Sequence, residues 1–131
     1  MTANSDRIIL FDEDAQKKVA EGVNLLSDAV KITMGPRGRN VVIERLNNFP
    51  HVTKDGVTVA RAINVKEKFV NLGIQMIKEA ALRSGESAGD GTTAATVLSQ
   101  AIYNAGLRMI ASGFVASDLL EGIEKGTEVV L

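Results

Sequence analysis

Three short glycine-containing turns carry the residues best suited to chemistry: Thr33-Met34-Gly35-Pro36-Arg37-Gly38-Arg39-Asn40, Thr53-Lys54-Asp55-Gly56-Val57 and Gly89-Asp90-Gly91-Thr92-Thr93. Each lies beside an expected helix end, and the third opens a helix. A helix N-terminus presents unpaired backbone N–H groups and the positive end of the helix dipole, which suits phosphate. Gly89 and Gly91 let the backbone approach a ligand closely, and Thr92 and Thr93 add hydroxyl donors. A carboxylate in such a place makes sense if it holds Mg²⁺, a hard cation that takes oxygen ligands and bridges phosphates. That gives Asp90 a role. Lys54 and Asp55 can supply a cation and a second carboxylate to the same phosphate.

Each motif also has a plain counterpart. Gly89-Asp90-Gly91 can be an ordinary helix start, Lys54-Asp55-Gly56 a β-turn with exposed charges, and Gly35-Pro36 a helix stop. Taken singly, the plain reading of the last two is favoured. Gly89-Asp90-Gly91-Thr92-Thr93-Ala94 also fits the dinucleotide pattern G-x-G-x-x-A, which needs a strand just before it. Residues 79–83 are helical in period and composition, so that reading lacks its strand. No Walker A loop occurs.

The elements that must position these turns can be traced along the chain. Residues 7–11 form a short apolar patch of strand character. Asp12 suits a helix N-cap, and Val19, Val23, Leu26 and Val30 then recur as one helical stripe that Gly35-Pro36 ends. Residues 40–44 are β-branched, and Val52-Thr53 returns beside them as a hairpin-like excursion with a polar tip. Lys54-Asp55-Gly56 reads as a turn and residues 57–63 as a short helix. A long helix is expected over 66–83, with Phe69, Leu72, Gly73, Met76, Ile77 and Ala80 on its inner side and Ser84-Gly85 closing it. A third runs over 92–112 and stops at Gly113, and Ser117 caps a fourth.

The composition narrows the partners. Net charge is −1 with no run of one sign, so the basic patch that nucleic acid demands is missing. With no Cys, thiolate metal sites and a Cys nucleophile are excluded. Aromatics are only 4% and Trp is absent, so the core must come from aliphatic side chains, which favours packed helices. No apolar run is long enough to span a membrane. The first residues lack a basic-then-apolar leader pattern, so the cytoplasm is the expected compartment.

Two features lead us to expect that these 131 residues are not a complete folding unit. From Gly91 to Ala116 the only charged residue is Arg108, so the third helix is apolar nearly all round and needs more cover than the other segments supply. The fourth helix reaches Glu128-Val129-Val130-Leu131 without a stop signal.

The combination is far more specific than its parts. T-M-G-P-R-G-R-N-V-V, then T-K-D-G-V, then A-G-D-G-T-T, in this order and spacing, resembles a group I chaperonin, from Arg7 through the fourth helix. K-D-G is the group I form, where the archaeal and eukaryotic cytosolic group usually has N-D-G. The resemblance implies a mostly α fold: the N-terminal segment (1–131) of the equatorial, ATP-binding and ring-forming domain, with a small β stem-loop. The C-terminal half of that domain, the intermediate domain and the apical domain are then absent from this sequence.

The resemblance also implies a function: ATP hydrolysis coupled to protein folding in a homo-oligomeric ring, with ATP/ADP and Mg²⁺ as ligands. Thr33, Met34, Gly35, Pro36, Lys54, Asp90, Gly91, Thr92, Thr93 and Ala94 are the implied nucleotide contacts. Asp90 is the implied Mg²⁺ ligand, and Asp55 the residue supporting hydrolysis near the γ-phosphate. Ala94 departs from the family, which usually has a third threonine there, so one hydroxyl donor is lost. Residues 39–50, with Val41, Val42 and Ile43 as the edge, resemble the stem-loop that pairs with a neighbouring subunit. Unfolded clients and a co-chaperonin would be bound by domains outside this sequence, in the cytoplasm of a bacterium or phage-infected cell. The 131 residues alone are expected not to hydrolyse ATP well. The competing expectation is a truncated, non-hydrolysing accessory that docks on rings.

Overall fold

The computed structural model describes residues 12–88 and 91–131. Five helices and one hairpin follow in the order α1 (Asp12–Lys31), β1 (Val41–Ile43), β2 (His51–Thr53), α2 (Gly56–Ala62), α3 (Lys68–Ala88), α4 (Thr92–Ala111) and α5 (Ala116–Val130). The fold is mostly α with one small two-stranded sheet, as the residue pattern led us to expect. The apolar patch at 7–11 lies outside the described residues.

α1, α3 and α4 pack together, and α2 closes one end of them. Their shared core is Val23, Leu26 and Val30 from α1, Val59 and Ala60 from α2, and Val70, Ile74 and Ile77 from α3. Fully burying each Val, Leu or Ile contributes about 1.5–3 kcal/mol, so this cluster holds the helices. The α1–α3 crossing is unusually close. A Cβ on Gly22 would overlap the Val70 carbonyl, and one on Gly73 would overlap the Val19 carbonyl. Only paired glycines let the two backbones touch this way.

That notch explains why α3 docks in a different phase from the expected one. The buried side carries Val70, Gly73, Ile74, Ile77 and Ala81, whereas Leu72, Met76 and Ala80 are exposed. α3 is apolar on two sides, and the row containing Gly73 docks because it alone permits the backbone contact.

α3 also runs five residues past Arg83 instead of closing at Ser84-Gly85. Gly85 leaves room for the Thr92 hydroxyl, since a Cβ there would lie 2.7 Å from Thr92 Oγ1. It is a packing glycine inside a helix rather than a stop. α5 starts at Ala116 with Val115 as its cap, so Ser117 sits within the first turn and makes no capping bond.

The hairpin pairs antiparallel, Val41 with Thr53, Val42 with Val52 and Ile43 with His51. Its strands are short because each is bounded by a turn of the candidate site. Val42 and Val52 form an exposed apolar pair on one face.

Candidate functional site

α1 ends where Thr33 folds back: its hydroxyl donates to the Val30 carbonyl at 2.6 Å, and the Met34 amide donates to Lys31 O at 3.1 Å. Gly35 then takes φ +80, left-handed, and the turn closes through Arg39 N to Ile32 O at 2.8 Å. Thr33 is buried, while Met34, Gly35 and Pro36 are exposed. The chain enters β1, and the pairing of Val41 with Thr53 returns it beside its starting point. The first two turns are thereby neighbours.

The second turn is the start of a helix rather than a β-turn. Asp55 is the N-cap of α2: its Oδ2 accepts from the Thr58 amide at 3.2 Å and from the Thr58 hydroxyl at 2.5 Å. Asp55 N in turn donates to Thr53 Oγ1 at 3.0 Å. The Thr58 hydroxyl holds the carboxyl below the ordinary carboxylate range against the opposing effect of desolvation, with further help from the amides of Thr58 and Val57 and the charge of Arg61. Asp55 is exposed and ionised, and its Oδ2 takes both bonds from Thr58. The carboxylate is thus held by the helix start while the residue stays open to solvent. Lys54 beside it is exposed.

The third turn meets the other two at Gly56. A Cβ on Gly56 would overlap Thr93 Oγ1, and would stand 3.2 Å from Thr33 Oγ1 and 3.3 Å from Val30 Cγ1. Thr33, Gly56 and Thr93, far apart in sequence, therefore share one small space. Gly91 is the left-handed N-cap of α4 at φ +85, so no side chain caps that helix start. Thr92 is buried with its hydroxyl against Gly85, and Thr93 and Ala94 are half-buried. Gly89 and Asp90 lie outside the described residues, so the expected metal ligand is not placed. Among the described residues no three carboxylate or imidazole side chains gather into a metal cluster. Of the groups that do converge, the carboxylate and hydroxyl oxygens are hard ligands of the kind Mg²⁺ takes, and the hydroxyls and helix-start amides are donors of the kind phosphate accepts.

Two residues here escaped sequence reasoning. Thr58 was visible in principle, as the third residue after an N-cap Asp, but reading Lys54-Asp55-Gly56 as a turn hid it. Gly56 carries no signal in sequence for the hydroxyls it accommodates. The strand that a dinucleotide-binding turn requires is not there either, since α3 runs up to residue 88.

The three turns and the helical frame define the class. Residues 26–131 match the model of the TCP-1/cpn60 chaperonin family, and the chain belongs to that family. Among solved structures it is similar to a group III chaperonin in the open state, with 28% identity, a TM-score of 0.74, and coverage of 86% of this chain and 22% of that one. It is also similar to the chaperonin gp146 from the bacteriophage EL 2 (Pseudomonas aeruginosa), solved in the presence of ATP-BeFx. One crystal form gives 34% identity, a TM-score of 0.70, and coverage of 86% and 20%. A second gives 37% identity, a TM-score of 0.69, and coverage of 76% and 18%. The chain thus spans about a fifth of the length of the chaperonins it matches.

Proposed function

We propose that this chain supplies the phosphate-facing turns of an ATP-hydrolysing chaperonin subunit, as the N-terminal segment of its equatorial domain. The convergence of Thr33, Gly56 and Thr93 beside the exposed Asp55 carboxylate carries the reading. The presence of ATP-BeFx with the similar gp146 chaperonin supports it. The group I assignment rests on G-P-R-G-R-N and K-D-G.

In this reading Thr93 and the first amides of α4 bind phosphate oxygens, Lys54 adds a cation, and Thr33 to Pro36 line the nucleotide. Ala94 contributes only backbone. Mg²⁺, when bound, neutralises phosphate charge, and Asp90 is its ligand. Asp55 acts in this reading by orienting water rather than by taking its proton. Its bonds to Thr58 orient the carboxylate, which can accept a hydrogen bond from a water near the terminal phosphate. A carboxylate from later sequence would have to take the proton. The exposed Val42–Val52 face of the hairpin contacts an identical neighbour in a ring. Client and co-chaperonin binding belong to sequence outside these residues, and the cytoplasm is the proposed compartment.

The test is Asp90→Ala in the natural full-length protein, followed by Mg²⁺-dependent ATP turnover. Loss of turnover is expected. Turnover at the wild-type rate would remove the metal-ligand assignment.

A further inference from the structure

Lys78 lies in the buried stripe of α3 between Ile74, Ile77 and Ala81, and is itself only 8% exposed. A lysine in a core stripe is uncommon unless its ammonium is paired. Among the described residues the ion pairs are Lys18–Glu67, Arg83–Glu79 and Lys125–Glu121, so Lys78 has no carboxylate partner there. It donates instead to two neutral oxygens, the Arg61 carbonyl at 3.2 Å and Asn64 Oδ1 at 3.4 Å. Gln75 Nε2 steadies the same Asn64 oxygen at 3.1 Å. Burial pushes the Lys78 amine below the ordinary lysine range, as expected for an ammonium without a counter-charge.

Both acceptors lie at the C-terminal end of α2. Arg61 is in the last turn, where carbonyls have no partner within the helix. α2 has only seven residues, about 10 Å of rise, too short to hold its shape unaided. It is fixed at one end by Asp55 and at the other by Lys78. An apolar side chain of equal length would fill the space at lower desolvation cost, so what the ammonium adds is one bond to the last turn of α2 and one to Asn64 just beyond it.

We propose that Lys78 is a positioning residue for Asp55: by clamping the C-terminal end of α2 to α3, it sets where the N-cap carboxylate stands relative to the start of α4. The proposal rests on the reading that Asp55 supports ATP hydrolysis.

The test compares Lys78→Met and Lys78→Arg in the natural full-length protein by two measurements. The first is steady-state Mg-ATP hydrolysis, separating kcat from KM. The second is amide hydrogen exchange at Thr58 and Val59, whose amides donate to Asp55 at 3.2 and 3.1 Å. For Lys78→Met we expect kcat to fall by about tenfold, the scale of a small misplacement of a catalytic group, with KM changed less than about twofold. Exchange at both amides should quicken, and Lys78→Arg, which keeps donors, should recover most of both. Wild-type kcat and exchange in Lys78→Met would overturn the proposal. A loss of kcat matched by the same loss of nucleotide affinity and melting temperature would also overturn it, as the mark of a merely structural lysine. If the wild-type protein hydrolyses no ATP, the proposed function fails, and the clamp then stands or falls on the exchange measurement alone.

Discussion

Gly56→Ala tests the meeting of the three turns most directly. The added methyl would overlap Thr93 Oγ1, inside the 3.0 Å that real Cβ contacts respect, with Thr33 Oγ1 at 3.2 Å and Val30 Cγ1 at 3.3 Å closing the other sides. Overpacking of this kind costs about 1–3 kcal/mol, offset by up to about 1 kcal/mol from replacing a helical glycine. The cheapest relief is rotation of Thr93, because threonine has two accessible χ1 wells in a helix. That rotation moves its hydroxyl off the site. We therefore expect a modest loss of stability and a larger loss of nucleotide affinity, on the order of the 1.5–3 kcal/mol of a hydrogen bond to a charged group. The assay is a double-mutant cycle with Thr93→Ala, read by urea unfolding midpoints at constant m and by nucleotide titration. Once Oγ1 is gone, the alanine at 56 meets only the 3.2 and 3.3 Å neighbours, and its cost should vanish or change sign. Equal cost with and without Thr93 would refute the claim that the second and third turns meet at these atoms.

Two further outcomes follow from the same geometry. Thr58→Val keeps the β-branch but removes the hydroxyl from Asp55, so the Asp55 pKa should rise toward the ordinary carboxylate value, as measured by carboxyl NMR titration. Since the native pKa is depressed, the stability linked to it is present above the unfolded carboxylate pKa and is lost as pH falls through the folded value. The stability gap between wild type and Thr58→Val should thus be full at neutral pH and shrink in acid. Val42→Asp places a charge on the exposed hairpin face without touching the site, and native mass measurement should show fewer intact rings while nucleotide affinity holds. Intact rings would count against that face as a subunit contact.

The helices were legible where their signal was local. The α1 stripe, the stop at Gly113 and the β-branched hairpin depend on near neighbours in sequence, and all appear in the fold. The docking phase of α3 depends instead on where two glycines on different helices meet, which no periodicity within α3 reveals. The site divides in the same way. The types of residue that suit phosphate and Mg²⁺ could be read from the three turns, because their chemistry is intrinsic. That Asp55 caps a helix was open to local reading through Thr58, whereas the meeting of Gly56 with Thr93 and the bonds of Lys78 to Arg61 and Asn64 are facts of tertiary contact.

The apolar character of α4 carries the sequence reading one step further. One face of α4 packs on α1 through Gln100, which donates to Asn24 and Asp28 at 2.9 Å each, and through Asn104, which donates to Asn24 at 2.8 Å. These partly buried amide bonds fix the register of the two helices, because a slip would leave polar groups unpaired. The opposite face is different. Leu98 and Ile102 on α4, Met76 on α3 and Leu120 and Ile123 on α5 are all exposed, and a groove of about 440 Å³ runs between the three helices. α5 has no buried residue at all, and a 15-residue helix is marginal in water without packing. The described residues of the three turns adjoin α1, α2 and the first turn of α4, which pack against one another and, with α3, form the closed side of the structure. The half of the structure that carries the three turns is therefore held by contacts these residues make among themselves, whereas the apolar face of α5 stays uncovered by them.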